Sequence, residues 1–85
     1  MIRRITLPKI NFEYLIHHFP ENGIITKQVC YKGGKEYVVI EVNESYAESV
    51  HEWANEEIIR IGFDLNYEIT DVGRILETIV DAFWT

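Results

Sequence analysis

The residues that could do chemistry here are three histidines, one cysteine and fourteen carboxylates. Their spacing decides what each can do. His17 and His18 are neighbours, so on a helix they point about 100° apart and share a metal poorly. His51 stands alone, and no third ligand falls at a recognised spacing, so all three read as surface histidines with no metal and no cofactor expected. Cys30 falls mid-strand, away from a helix N-terminus and outside any nucleophile motif. A pair such as Glu41 and Asp64 could meet by chance, but acid–base catalysis needs one carboxyl in an apolar pocket, and no such pocket is signalled. Gly33-Gly34 has no Lys-Ser/Thr after it at the spacing of a phosphate loop. These absences lead to the expectation that the chain is not an enzyme.

The carboxylates do form a pattern. Glu44, Glu48, Glu52 and Glu56 recur every four residues, about 6 Å apart along a helix. Like charges at this spacing cost a few tenths of a kcal/mol per pair, and only Arg60, four residues after Glu56, offers local relief. Such a row either faces water or presents a negative ridge to a basic partner. Duplex DNA carries a charge every ~1.7 Å of axis, so the row alone is too sparse to imitate it. Glu57, Asp64, Glu68 and Asp71 would have to add a second row. The partner-binding set expected from this pattern is Glu44, Glu48, Glu52, Glu56, Glu57, Asp64 and Glu68.

The charge is also polarised. Residues 1–35 hold six Lys/Arg against two Glu, and residues 36–85 hold two Arg against twelve Asp/Glu, so a net charge of −6 divides into +4 and −10. Arg3, Arg4 and Lys9 with the hairpin lysines could line a basic edge, but the acidic excess opposes approach to a phosphate backbone, and direct nucleic-acid binding is not expected. With 47% hydrophobic residues and 13% aromatics, the chain is too apolar to be disordered. Its 85 residues suffice for one domain, 1–85, folding alone or as a small oligomer such as a homodimer. One cysteine excludes an internal disulfide framework and suits a reducing compartment, hence the cytoplasm. No signal-peptide run follows Arg3-Arg4, and no apolar stretch is long enough to span a membrane.

Several elements must position these groups. Ile5-Thr6-Leu7 before Pro8 reads as an extended arm. A two-turn helix follows, capped by Asn11, with Phe12, Leu15, Ile16 and Phe19 as its apolar stripe and Pro20 as its stop. Ile24–Tyr31 and Lys35–Val42 flank Gly33-Gly34 as a β-hairpin in which Tyr31 faces Glu36, Val29 faces Val38, Lys27 faces Ile40 and Ile25 faces Val42, on the core side. Ser45-Tyr46-Ala47-Glu48 matches a capping box opening a long helix whose core stripe is Ala47, Val50, Ala54, Ile58 and Ile61 and whose end is Gly62. Strict alternation of Phe63, Leu65, Tyr67 and Ile69 predicts a third strand, with an extended connector draped on the core as the other reading. Thr70 caps a final helix striped by Val72, Ile75, Leu76, Ile79, Val80 and Phe83. Trp84 then closes the core or anchors another chain. The class is α+β: a short helix, a two- or three-stranded antiparallel sheet with a hairpin, and two longer helices on one face.

Glu36-Tyr37-Val38 leading through Asn43-Glu44-Ser45 into an acidic helix, within residues 32–57, resembles the small phage anti-CRISPR inhibitors of the Cas9 nuclease. The resemblance implies an inhibitor that occupies a basic nucleic-acid channel by charge complementarity, without catalysis. The basic first third departs from that pattern. The expected function is a non-enzymatic protein-binding module for a basic protein surface, such as that of a nucleic-acid-binding protein. A structural protein that self-associates through the hairpin edge or Trp84 is the other reading.

Overall fold

Two adjacent glycines set the register of the sheet. The computed structural model, which describes residues 1–84, holds Gly33 and Gly34 at φ 59° and 78°, the left-handed pair of a two-residue turn that glycine adopts without strain. The elements run β1 (Ile2–Pro8), α1 (Lys9–His18), β2 (Ile24–Lys32), β3 (Lys35–Asn43), α2 (Glu44–Ile61) and α3 (Asp71–Phe83). β2 and β3 pair as the turn dictates, with Tyr31 on Glu36, Val29 on Val38 and Lys27 on Ile40. The expected contact of Ile25 with Val42 is lost: the register shifts between Ile24 and Thr26, and Ile24 takes Val42 instead. Ile25 is the extra residue of that irregularity.

The third strand is not where alternation placed it. The arm before Pro8 is longer than Ile5–Leu7 and pairs antiparallel with β3 from Ile2–Asn43 to Pro8–Tyr37, so the sheet order is β1-β3-β2. Pro8 has no N–H to give, which an edge strand tolerates. Residues 63–69 do not join this sheet; Phe63 bridges Ile69 within the segment itself.

All three helices lie over one face of the sheet, where Ile5 and Leu7 of β1 and Val38, Ile40 and Val42 of β3 are buried. α1 begins at Lys9 directly after extended Pro8 and has no side-chain cap. Asn11 is therefore inside the helix, buried, and its Nδ2 donates to the Ile75 carbonyl at 3.0 Å. Phe12, Leu15 and Phe19 are buried, but Ile16 is 48% exposed. Tyr46, Ala47, Val50 and Ala54 form the buried face of α2, while Ile58 and Ile61 are only half-buried. Phe19 meets Tyr46 edge-on at 5.7 Å and Trp53 at 5.3 Å, an aromatic layer under the α2 midpoint. Leu76, Ile79 and Phe83 bury the stripe of α3, and Thr70 caps it by accepting from Gly73 N–H at 3.0 Å.

α2 and α3 meet closely at their junction. Gly62 has ordinary right-handed helical angles, so it is required by proximity and not by φ. Its carbonyl accepts from Thr70 N–H and Thr70 Oγ1 at 2.9 and 3.1 Å. A Cβ on Gly73 would stand 2.3 Å from that same carbonyl oxygen.

Candidate protein-binding surface

The acidic row depends on where α2 starts. Asn43, not Ser45, is the cap: its Oδ1 accepts from Tyr46 N–H at 2.8 Å and from Ser45 Oγ at 2.9 Å. Met1 accepts Glu44 N–H at 3.0 Å, so the first turn is tied to the end of β1. With 100° per residue, Glu48, Glu52 and Glu56 then fall within an arc of about 80° opposite the buried stripe. All three are exposed, whereas Glu44, in the first turn beside β1, is half-buried.

The other expected members divide. Glu57 lies toward the core side and is half-buried, with Arg60 Nη2 on its Oε2 at 2.7 Å. Arg60 therefore relieves Glu57 at i+3 rather than Glu56 at i+4. Both charges bear on Tyr14, whose phenol is pushed up first by burial and then by Glu57. Asp64 is committed to local structure, since its Oδ1 accepts from Asn66 N–H at 2.8 Å and Glu68 N–H at 3.1 Å. Glu68 is exposed. The ridge on α2 is Glu48, Glu52 and Glu56; Asp64 and Glu68 stand in the segment after the helix.

Residues 63–69 form a small hairpin of their own. Phe63 bridges Ile69, Asp64 N–H donates to Glu68 O at 2.9 Å, and Tyr67 N–H donates to Asp64 O at 3.0 Å. That is a three-residue loop whose last position is left-handed. The residue there is Tyr67, at φ 60°, where glycine is the unstrained choice. Its side chain returns little contact, being 88% exposed, with Leu65 at 100% and Phe63 at 49%. Ile59, on the acidic side of α2 between the bearings of Glu48 and Glu52, is 82% exposed. Alternation assigns Phe63, Leu65 and Tyr67 to a strand and carries no expectation for Ile59, so their exposure is a finding of the structure.

The groups considered for chemistry do not converge. His17 Nδ1 donates to Glu13 O at 2.7 Å, and His18 lies 4.2 Å from the Tyr14 ring. The ring of His51, on α2, lies 5.1 Å from that of Trp84 at a 55° tilt; its Nε2 is buried with no hydrogen-bond partner among the described residues. Trp84 is 68% exposed and covers His51, while Phe83 closes the core end. Cys30 is half-buried opposite Tyr37 on the helix-free sheet face. On that same face Glu41 accepts from Thr26 Oγ1 at 2.8 Å, apart from Asp64. Among the described residues no three His, Cys, Asp or Glu side chains are grouped to hold a metal ion. No helix among them is long and apolar enough to cross a membrane.

The basic edge is dispersed too. Arg3 turns inward and donates through Nη2 to the Phe83 and Trp84 carbonyls at 3.0 and 3.1 Å, satisfying orphan acceptors at the end of α3. Lys9 is paired with Glu36 at 3.0 Å and Glu13 at 3.9 Å. Glu36 also accepts from Tyr31 Oη at 3.0 Å, and the hydrogen bonds from Lys9 and then Tyr31 hold its carboxyl below the usual range. No protein-family model, curated protein or solved structure matches the chain.

Proposed function

We propose that this protein is a non-enzymatic binding module that engages a basic protein surface through the solvent face of α2 and the hairpin that follows it. The observation that carries this reading is the exposure of both kinds of side chain in consecutive chain segments: Glu48, Glu52 and Glu56 with Ile59 on α2, then Phe63, Leu65 and Tyr67 interleaved with Asp64 and Glu68 in the hairpin that follows. Apolar side chains supply the affinity of an interface core, and a surrounding carboxylate rim selects a partner of opposite charge. A row kept only for solubility needs no exposed leucine and tyrosine within it.

A nucleic-acid-binding protein offers such a basic surface, and an inhibitor that competes with nucleic acid for it, of the anti-CRISPR kind, is the specific form proposed. The test is binding to a purified guide-loaded Cas9 nuclease and, in parallel, to proteins of the native host. The expected complex weakens steeply with salt and when Glu48, Glu52 and Glu56 all become Gln. A complex insensitive to both would sink the reading.

A further inference from the structure

The helical layer does not extend over β2. The helix backbones lie near β1 and β3 and not near β2, so β2 stands as an edge of the sheet whose inner side is only partly covered, by side chains such as Phe12 under Lys27. On that side Val29 is 48% and Tyr31 72% exposed, next to Ile25 at 56% and, from α1, Ile16 at 48%. The two-residue turn fixes which backbone groups are free. Lys32 and Lys35 close the turn as a hydrogen-bonded pair, so the even-numbered residues of β2 bond to β3. The N–H and C=O groups of Lys27, Val29 and Tyr31 then point away from the sheet.

An edge of this kind is normally guarded by outward charge. Here the only charged residue between Ile24 and Tyr31 is Lys27, and its Nζ lies back over the Phe12 ring, 5.5 Å from the centroid. Thr26, Gln28 and Cys30 on the other side are uncharged. In a chain of net charge −6, this strip with one charge is where two copies approach with little repulsion.

We propose that β2 pairs antiparallel with β2 of a second copy about a two-fold axis at Gln28, giving one six-stranded sheet with all helices on the same face. The register is self-complementary, as an isologous contact requires. Lys27 meets the partner's Val29, the regular ladder ends at the irregularity at Ile25, and no like charges stand opposite. The outward backbone groups of Lys27, Val29 and Tyr31 are the ones such pairing uses, and Ile16, Ile25 and Val29 of both copies close over the seam. A two-fold at Lys27 would set lysine on lysine, which excludes the neighbouring even register on that side.

Gln28 then lies directly across from its own copy in a non-hydrogen-bonded pair, where side chains are closest. Gln28→Cys in a Cys30→Ser background therefore forms an intermolecular disulfide under mild oxidation, faster than Lys35→Cys in the same background. Sedimentation over a concentration series shows a dimer whose dissociation changes little with salt. Val29→Lys, an exposed position, creates two lysine–lysine pairs and raises the dissociation constant at least about tenfold with the fold intact by circular dichroism. Exchanging Glu48, Glu52 and Glu56 for Gln leaves the dimer unchanged, which separates this surface from the acidic one. A monomer throughout, a dimer indifferent to Val29→Lys, or equal cross-linking at positions 28 and 35 overturns the proposal. So does an edge that stays monomeric but captures an extended peptide of another sequence.

Discussion

Tyr67 stores strain that a single substitution should release. At φ 60° an L-residue in the left-handed region costs about 1–2 kcal/mol. Glycine removes that cost but gains backbone entropy in the unfolded chain, an offset of roughly 0.4–1 kcal/mol. Little else is lost, because the ring is 88% exposed. Tyr67→Gly therefore stabilises the fold by about 0.5–1 kcal/mol, which in a domain of this size raises the melting temperature by roughly 2–8 °C. Tyr67→Ala keeps the Cβ and the strain, and shows no such gain. Urea and thermal unfolding of the wild type and both variants check this directly. If Tyr67→Gly is no more stable than Tyr67→Ala, the left-handed strain argument is wrong. If Tyr67 is kept for contact with a partner, the stabilised Tyr67→Gly protein also binds that partner more weakly.

Three further outcomes follow from the packing and the ion pairs. Gly73→Ala drives a Cβ against the Gly62 carbonyl and destabilises by about 1–3 kcal/mol despite alanine's helix propensity, measured by urea unfolding with exposed Glu77→Ala as reference. Asn11→Asp puts a buried carboxylate against the Ile75 carbonyl and costs about 2 kcal/mol or more beyond Asn11→Ala, by the same measurement. Glu36 has a folded pKa below its unfolded value, so its contribution is present above the unfolded pKa and lost as pH falls through the folded one. The loss of stability below about pH 4 is accordingly shallower in Glu36→Gln, read from denaturant midpoints across an acid series.

Local chemistry made much of this fold legible. Gly33-Gly34 gave a register that holds from Lys32–Lys35 to Thr26–Glu41, and the Thr70 cap and the stripe of α3 follow from residue type and period alone. Non-local competition decided the rest. Pairing of Ile2–Pro8 with β3 depends on a free strand edge about thirty to forty residues away, which no local period reveals. Asn11 has the character of a cap, but Pro8 enters the helix directly and leaves the amide to a buried bond with α3. Asn43 displaced Ser45 as cap because β3 runs straight into α2, so the last strand residue is the one at the helix entrance. The exposed face of α2 was readable from four-residue spacing. The hairpin at its end was misread because alternation reports two distinct faces, not that either is covered.

In the proposed binding surface, carboxylates and apolar side chains act together. The most direct measurement of this is affinity capture from the native host with three immobilised proteins: the wild type, the Glu48/Glu52/Glu56→Gln variant, and a Leu65→Ser/Tyr67→Gly variant. The prediction is a basic protein retained by the wild type at low salt, released at high salt, and lost from both variants although each is folded. Identical retention on all three, or retention that high salt does not disturb, would contradict it.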